Sequence, residues 1–367
     1  MLPAMARAAR AAAAALVALV LVASASATGP SPSTPAGAAR GLVAAGAPGA
    51  IVVVRTPAGL RAAAAGAARL HPREPMRVPD RFRIASVTKS FVAAAVLQLV
   101  GEGRLGLEDT VERRFPGLVP NGRFITIREL LNHSSGLFDF DEDKAWIKAR
   151  FANPARVWAP RDLVRIAVRH KPHFPPGSSW RYSNTNYVVL GLVVEHVTGG
   201  PLGDVLRTRL FAPLRLDATS YPLRTALNGR YVHGYVVAAP PLPRPPGTLI
   251  DTSSALSPSA WGAGQIVSNA RDVTAFFAAL LGGRVIRPAL LRELKTPVNG
   301  YDYGLGIYSR PTRCGTAWGH NGDIPGWRNV VFATADGRRV VQVMVNIDGK
   351  VDWRRVDDAA ENVFCSG

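Results

Sequence analysis

The sequence predicts an α+β fold, in which strands from both ends of the chain form one antiparallel sheet and a mainly helical segment lies between them. Near the N-terminus, apolar runs at residues 50–55 and 60–68 flank a Thr-Pro-Ala-Gly turn. Near the C-terminus, residues 327–334 and 338–347 read as strands around an Ala-Asp-Gly hairpin turn. Strands at both ends with helices between them are typical of the α+β class.

The middle of the chain and its end carry helical patterns. Apolar residues after Ser86 recur at helical spacing and predict a helix that ends near Gly101. A second helix is predicted over residues 186–198, where two glycines stop the pattern. The proline-rich residues 240–246 predict a loop. A closing helix is predicted over residues 352–364.

These elements predict a sheet domain made of residues 39–100 and 260–367, with a mainly helical domain of residues 101–259 inserted between its parts. The first 27 residues combine two arginines, a short apolar run and an alanine- and serine-rich end, as a secretory signal peptide does. Residues 28–38 are rich in Pro, Gly and Ser and are expected to be a disordered leader.

Length and composition limit the functions that remain. A chain of 367 residues with 47% hydrophobic residues can bury a sizeable core, which excludes a disulfide-stapled miniprotein, a collagen-like repeat and a disordered acidic tail. The net charge of +18 comes almost entirely from arginine and looks compositional. For an exported chain without a second long apolar stretch, we expect anionic cell-wall polymers rather than nucleic acid as neighbours, and no stable membrane anchor.

Two cysteines, Cys314 and Cys365, fit an exported protein. In an oxidising compartment they can pair and fix the C-terminal element to the segment near residue 314, whereas the alternative is two unpaired buried thiols. No Cys/His cluster has the spacing of metal ligands, so the sequence predicts neither a metal site nor a cofactor.

Ser86 and Lys89 lie three residues apart at the start of a predicted helix, a spacing that puts both side chains on one face. Partial desolvation of that face lowers the pKa of a lysine toward neutrality, so that its amine can take the serine proton and create a nucleophile. Taken alone, the pair is better explained by a helix N-terminal serine beside a solvated lysine.

Tyr182 and Asn184 follow a Pro-Pro-Gly turn and precede the second predicted helix, a place where loop side chains point into clefts. A tyrosine near two cations is expected to have a lowered pKa and to shuttle protons between nucleophile and leaving group. Asn184 offers a donor and an acceptor to a substrate amide or to Lys89. The alternative is a capping turn in which Tyr182 is a packing residue.

The third motif spans residues 319–323 and places His320 between two nearby glycines. Such glycines let another backbone approach closely, and a strand edge here can hydrogen-bond an extended substrate. A lone histidine is more often structural than catalytic. None of the other six histidines lies in a comparable sequence context.

In this order, Ser-x-x-Lys, Tyr-x-Asn and His-x-Gly resemble the penicillin-recognising serine hydrolases. These include class C β-lactamases, related esterases and, most similar, the secreted D-alanyl-D-alanine carboxypeptidases. The similarity runs from about residue 40 to residue 365, and its motifs include residues 130–137, 182–186, 261–264 and 303–306. The spacing of the two cysteines is also similar to that of the carboxypeptidases. The resemblance implies a β-lactamase/transpeptidase-like fold.

The resemblance also implies catalytic roles. Ser86 would attack the substrate carbonyl and form an acyl-enzyme. Lys89 and Tyr182 would share the proton transfers, while Asn184 and His320 would position the substrate and tune Tyr182.

By the same resemblance, the backbone N–H groups of Ser86 and Asp323 would form an oxyanion hole, in which one donor is typically worth about 10²–10³ in rate. Trp261, Asn321 and Gly322 would contact the substrate. For Trp261, an ordinary packing role explains the residue equally well.

Two features depart from the carboxypeptidase pattern, which reads the substrate's terminal carboxylate with a threonine and an arginine. Asn321 and Tyr308 stand at those two positions, although Arg310 lies two residues further on the same strand face. Asp323 stands where the relatives carry a neutral hydroxyl, and its charge would repel a substrate carboxylate unless it points away. An amine-bearing or uncharged substrate suits this set of residues better.

The leading functional prediction is a secreted, monomeric serine D-alanyl-D-alanine carboxypeptidase that acts on peptidoglycan stem peptides. The alternatives on the same scaffold are an esterase, a class C-like β-lactamase or a D-amino-acid peptidase, each acting on a small acyl substrate. β-Lactams would be inhibitors or substrates. A catalytically silent cell-wall-docking domain is a third hypothesis, against which the retention of Ser86, Lys89 and Tyr182 argues.

Overall fold

The computed structural model describes residues 31–153, 156–224, 227, 229–238, 244–254, 260–298 and 300–366. The predicted signal peptide and residues 240–243 of the predicted loop lie outside these ranges. Within them, no single helix has the length and apolar character needed to cross a membrane, although the bent pair Asn184–Thr198 and Leu202–Phe211 meets both criteria when taken together.

The strands of the described chain are β1 (Gly49–Thr56), β2 (Gly59–Arg69), β3 (Glu74–Pro75), β4 (Phe82–Arg83), β5 (Tyr235–Val237), β6 (Leu249–Asp251), β7 (Val267–Ser268), β8 (Tyr308–Thr312), β9 (Gly315–Gly319), β10 (Asn321–Ile324), β11 (Trp327–Ala333), β12 (Val340–Val345) and β13 (Ile347–Asp348).

Its α-helices are α1 (Pro35–Ala44), α2 (Thr88–Gly101), α3 (Val111–Arg114), α4 (Ile127–Leu131), α5 (Lys144–Ala152), α6 (Pro160–Ala167), α7 (Asn184–Thr198), α8 (Leu202–Leu206), α9 (Ala270–Leu281), α10 (Pro288–Leu294) and α11 (Trp353–Phe364).

The main sheet joins the two ends of the chain. Its order is β3-β2-β1-β12-β11-β9-β8, with β10 also paired to β11. β1 runs antiparallel to β12, from the pair Ala50 and Val345 to the pair Arg55 and Val340. The prediction of an antiparallel sheet built from both termini is therefore confirmed, as are the two hairpins β1–β2 and β11–β12.

The two faces of the sheet bury different helices because neighbouring strand residues point to opposite sides. Ile51 and Val53 of β1 face the large core that also contains residues of α2, α7 and α9. Ala50, Val52 and Val54 face the second core, which α1 and α11 cover. The predicted helices are present as α2, α7 and α11, and α7 begins two residues earlier than expected.

The expectation of a disordered leader over residues 28–38 is wrong for residues 35–38, which belong to α1. Thr34 caps this helix by accepting a hydrogen bond from Gly37 N at 3.1 Å, and Pro35 occupies its first turn, where proline is favoured. The helix buries Leu42 against the sheet. Small residues thus form a packed helix where composition alone suggested disorder.

The cysteines form a disulfide that joins the β8–β9 turn to the end of α11. The Cα atoms of Cys314 and Cys365 are 5.6 Å apart. This selects the paired alternative over two free thiols. The predicted domain boundaries near residues 101 and 259 stay predictions. In the described chain between them lie the helices α3–α8 and the short strands β5 and β6, which extend from β13.

Candidate active site

Ser86 lies in a sharp turn between β4 and α2. The turn is a single 3₁₀ turn, Ala85–Val87, in which Ala85 has a φ of +49°, a conformation that costs a non-glycine residue free energy. Ala85 and Val87 are buried, whereas Ser86 is half-buried. Ile266 N donates to Thr88 Oγ1 at 3.1 Å and holds the start of the helix in place. The turn therefore presents the Ser86 hydroxyl to a cleft.

Lys89 is fully buried one helical turn after the serine. Its Nζ atom is 3.2 Å from Ser86 Oγ, 2.7 Å from Asn184 Oδ1 and 2.8 Å from the Ala263 carbonyl oxygen. Burial lowers the pKa of Lys89 to about 7, against the opposing attraction of Asp139. The desolvation that a catalytic role of the Ser86–Lys89 pair requires is present, and the lysine is not solvated, so a neutral amine beside the hydroxyl is accessible at physiological pH.

Tyr182 lies against this lysine, whose Nζ atom is 4.7 Å from the centre of the tyrosine ring. Burial raises the pKa of Tyr182 above its usual value, and the negative charges of Asp139 and Asp141 raise it further, while a hydrogen bond with Ser86 acts in the opposite direction. The predicted lowering of this pKa is wrong, because desolvation is the largest effect and the charges that act on the phenol are negative rather than positive. The phenol therefore stays protonated and can donate.

Asn184 links the lysine to a buried carboxylate. Its Oδ1 atom accepts from Lys89 Nζ, and its Nδ2 atom donates to Asp139 Oδ2 at 3.0 Å. Asp139 is 5% exposed. Because a carboxylate only accepts hydrogen bonds, Asp139 fixes which end of the Asn184 amide faces the lysine.

Replacing Asp139 with asparagine should lower kcat about tenfold, less than the ~10²–10⁴-fold loss expected for a general acid or base, because Asp139 acts on Lys89 through Asn184. It should also move the acid limb of kcat/KM to lower pH. The negative charge of Asp139 raises the pKa of Lys89, so its removal lets the lysine lose its proton at a lower pH. Rates measured from pH 5 to pH 9 test this. The matched control is Asp162→Asn, which changes an aspartate paired with Arg165 on α6. A loss of kcat without a shift of the limb would contradict the electrostatic role.

His320 is buried beside the same cleft and is held at both ring nitrogens. Nδ1 is 2.5 Å from the Asn321 carbonyl oxygen, and Nε2 is 2.8 Å from the Tyr303 hydroxyl. Since a carbonyl only accepts, Nδ1 carries the proton and Tyr303 donates to Nε2. Burial lowers the pKa of His320 to about 3, so the ring is neutral. The phenol that His320 hydrogen-bonds is that of Tyr303, whose ring packs edge-on against Tyr182, and not that of Tyr182 itself.

The strand β10 runs directly beside the turn that carries Ser86. A Cβ atom on Gly322 would lie 2.2 Å from the Ile84 carbonyl oxygen, so only glycine permits this approach. Val331 N donates to His320 O, and the alternation of antiparallel pairs then turns the N–H of Asp323 away from β11. The two backbone donors of the predicted oxyanion hole thus belong to adjacent segments.

The carboxylate of Asp323 is held from the outer side, at 3.3 Å from Trp353 Nε1 and 3.7 Å from Arg328 Nε. Burial and repulsion from Asp348 nevertheless raise the pKa of Asp323 to about 6. Asp323 also lines a small groove of about 50 Å³ next to Ser86, together with Asp141 and Arg150, and we call this the acidic groove.

A second groove, of about 370 Å³, begins at Tyr182 on the other side of the site, and we call it the aromatic groove. It is lined by Trp180, Tyr182, Tyr301, Asp302, Tyr303, Tyr308, Ser309, Arg310 and Asn321. Arg310 lies at the position expected to replace the missing carboxylate reader, but its guanidinium is 2.7 Å from Asp357 of α11.

Trp261 lies elsewhere than expected for a substrate contact. Its ring packs over Gly191 of α7, where an added Cβ would come within 2.3 Å of the ring. It lines a separate cavity with Leu202 and Tyr221 and neither of the two grooves beside Ser86. The ring thus packs into the helical layer, as the packing explanation expects.

A family model described as Beta-lactamase matches residues 36–363. The chain belongs to the Beta-lactamase family. It is therefore a serine hydrolase of the group that includes the β-lactamases and the penicillin-binding proteins.

Relatives of this β-lactamase-family chain carry several names. Penicillin-binding protein 4* of Bacillus subtilis (strain 168) is 28% identical over 313 residues, which are 82% of this chain and 68% of the relative. A D-aminopeptidase of Brucella anthropi is 29% identical over 303 residues, which are 77% of this chain but only 53% of that longer protein. The solved D-stereospecific amidohydrolase from Streptomyces sp. superimposes with a TM-score of 0.80 and 35% identity, covering 90% of this chain and 97% of that one.

Within this β-lactamase-family site, the sequence motifs missed three groups of residues. His133, which lies in the 130–137 motif but was assigned no role, stacks on Tyr182 with 4.3 Å between the ring centres and accepts from Ser183 N at 3.2 Å. Asp139 and Asp141 were also missed. Their position directly after the 130–137 motif is the sequence feature that could have indicated them. The aromatic groove left no local pattern because its walls come from separate parts of the chain.

Proposed function

We propose that the protein hydrolyses the carboxyl-side amide bond of D-amino acid derivatives and short peptides that carry a free amino group. The acidic groove carries this proposal. Asp141 and Asp323 line it beside Ser86, and Arg150, which also lines it, is 3.7 Å from Asp141. Asp323 is likewise 3.7 Å from Arg328, but both carboxylates keep acceptor oxygens, which favour a bound ammonium group over a carboxylate. The D configuration is inferred from the names of the D-aminopeptidase and amidohydrolase relatives.

In the proposed acylation, Ser86 Oγ attacks the amide carbon while Lys89, as a neutral amine, takes the hydroxyl proton. The N–H groups of Ser86 and Asp323 stabilise the negative oxygen of the tetrahedral intermediate. When the intermediate collapses, the C–N bond breaks and the leaving amine needs a proton. Tyr182 supplies that proton and regains one from Lys89, which leaves an acyl-enzyme and a neutral amine.

The opposite pKa shifts of the two groups divide these roles. Burial lowers the pKa of Lys89 and raises that of Tyr182. Groups whose environments separate their pKa values in this way take the base and the acid roles respectively. Lys89 is therefore the base of acylation and Tyr182 relays the proton. In deacylation the same groups act on water, and the acyl group leaves as a carboxylic acid.

The second candidate is the D-alanyl-D-alanine carboxypeptidase of the sequence prediction, acting on peptidoglycan stem peptides. The similarity to Penicillin-binding protein 4* supports it. Its substrates have a blocked amino group and a free terminal carboxylate, so the two candidates differ in charge at both ends of the scissile bond. We also propose that the protein acts outside the cytoplasm, which the Cys314–Cys365 disulfide supports because such bonds persist in oxidising compartments.

The test compares purified protein on D-alaninamide, L-alaninamide, N-acetyl-D-alaninamide and a diacetyl-lysyl-D-alanyl-D-alanine peptide. We expect the D-amide to be cleaved, with kcat/KM reduced at least about tenfold by acetylation, since removal of one charged partner costs about 1–3 kcal/mol. Faster release of D-alanine from the blocked peptide would overturn the proposal in favour of the carboxypeptidase. Intact mass after exposure to benzylpenicillin, with peptide mapping of any adduct to Ser86, identifies the nucleophile.

A further inference from the structure

The aromatic groove contains a stacked pair of rings that is open to solvent. Trp180 and Tyr301 lie nearly parallel, with 5.1 Å between ring centres and 22° between planes. Tyr301 is 40% exposed, which is unusual for a large aromatic side chain in this structure. Behind the pair, Tyr303 is fixed by its hydrogen bond to His320. The groove therefore offers a preformed flat surface to another ring.

The position of this groove relative to the catalytic groups places it where the leaving amine of the substrate would lie. It begins at Tyr182, the group that returns a proton to the departing amine, and a proton donor must lie within hydrogen-bond reach of the atom it serves. The acidic groove lies at Ser86, Asn184 and Asp323 instead. A substrate whose amino group occupies the acidic groove thus directs its leaving amine toward Trp180 and Tyr301.

The charges of the aromatic groove disfavour a carboxylate on the leaving group. Among the described residues that line this groove, Arg310 is the arginine. It is paired with Asp357 at 2.7 Å and also packs on Phe332, with 5.7 Å from guanidinium to ring centre. Asp302 lines the groove as an exposed carboxylate. A second negative charge on the substrate would be repelled by Asp302 and would compete with Asp357 for the arginine.

We propose that the aromatic groove is a leaving-group subsite that selects aromatic amines without a carboxylate, such as arylalkylamines and the C-terminal amides of aromatic amino acids. This inference rests on the proposed function and deepens it by naming the leaving group. Tyr301 and Trp180 stack on the ring of the leaving amine. Because Arg310 is paired with Asp357, a carboxylate on the leaving group finds no free cation in this groove.

The first experiment keeps the D-alanyl group constant and varies the amine. Wild-type protein should cleave D-alanine benzylamide with a kcat/KM at least about tenfold higher than that of D-alanine methylamide, because the ring adds buried area and stacking. It should cleave D-alanyl-D-phenylalaninamide at least about tenfold faster than D-alanyl-D-phenylalanine, which carries a free carboxylate. Equal rates within either pair would overturn the proposal.

Variants then assign the effect to the residues. Tyr301→Ala should reduce the benzylamide to methylamide ratio about fivefold, and Tyr301→Leu, which keeps apolar area, should reduce it nearly as far. The matched control is Phe124→Ala, which removes an aromatic ring that is 57% exposed and lies outside the groove. Asp357→Asn should raise kcat/KM for D-alanyl-D-phenylalanine several-fold by releasing Arg310, with the amide unchanged. An equal effect of Phe124→Ala on the ratio would contradict the assignment.

Failure of the proposed function gives a different result. If no D-alanyl amide is cleaved, benzyl acetate and methyl acetate replace the amides, and the same ratio with the same variants tests the subsite alone. Cleavage of D-alaninamide without preference for a ring leaves the proposed function intact and removes the leaving-group subsite.

Discussion

Lys89→Met should lower kcat/KM about 10³-fold, near the middle of the range for loss of a general base, while the protein stays folded. Methionine has a similar length and no charge, so it fits the buried channel that Lys89 occupies. The serine hydroxyl then has no amine to take its proton, and the remaining rate comes from substrate binding and the oxyanion donors. Steady-state kinetics on D-alaninamide, with circular dichroism of the variant, measure both effects.

The pH dependence of the wild type provides the companion measurement. Only neutral Lys89 accepts a proton, so kcat/KM should rise with pH through the lysine pKa of about 7. It should fall again above about pH 8, where the α-ammonium group of D-alaninamide loses its proton. The methionine variant should lack the rising limb. If it kept the same limb, another group would be the base. The matched control is Lys148→Met, which changes an exposed lysine of α5. It should leave kcat/KM and its pH dependence unchanged.

Stability should respond to pH in a direction that the same burial sets. Because folding lowers the pKa of Lys89 from 10.5 to about 7, the unfolded chain binds more protons between these values. The contribution of this lysine to the free energy of unfolding therefore rises with pH through that window and is most unfavourable below pH 7. Lys89→Met removes this contribution. The free energy of unfolding of the variant, measured with urea, should therefore increase less between pH 7 and pH 10 than that of the wild type.

Features set by local sequence were predictable. The spacing of Ser86 and Lys89 places them on one helix face whatever packs around them, and the structure has their polar atoms 3.2 Å apart. The β11–β12 hairpin follows from a turn between two apolar runs. The convergence of Ser86, Tyr182 and His320 came from the order of their motifs and from the family resemblance, since no local pattern brings distant segments together.

Features set by packing between distant segments were not predictable. The direction of the Tyr182 pKa shift depends on how much of the phenol is desolvated, which the loop sequence does not contain. The same holds for Asp139, whose importance arises only where it meets Asn184, 45 residues away. Trp261 was assigned by motif position, yet its ring packs against Gly191 of α7 in the helical layer. Each of these depends on three-dimensional neighbours.

Gly322→Ala should lower kcat about 10²–10³-fold, with a smaller effect on KM, because it disturbs a contact that matters in the transition state. The new Cβ would lie 2.2 Å from Ile84 O and 3.2 Å from Ala85 Cβ, both in the segment that leads into Ser86. β10 and the Ser86 turn must therefore separate, and the N–H of Asp323 moves away from the oxyanion position. Kinetics on D-alaninamide give kcat and KM separately.

The matched control is a glycine that has room for a methyl group. Gly41 lies within α1, where an added Cβ meets nothing within 4 Å, so Gly41→Ala should keep full activity and stabilise the helix by about 1 kcal/mol. The two substitutions add the same methyl group, but only at Gly322 does that group collide with backbone atoms. If Gly322→Ala kept the wild-type kcat, the close approach of β10 to the serine turn would have no catalytic role, and Asp323 N–H would not be an oxyanion donor. A loss of kcat together with unchanged far-UV circular dichroism at the assay temperature instead places the effect at the oxyanion donors, since a general loss of folding would alter the spectrum as well.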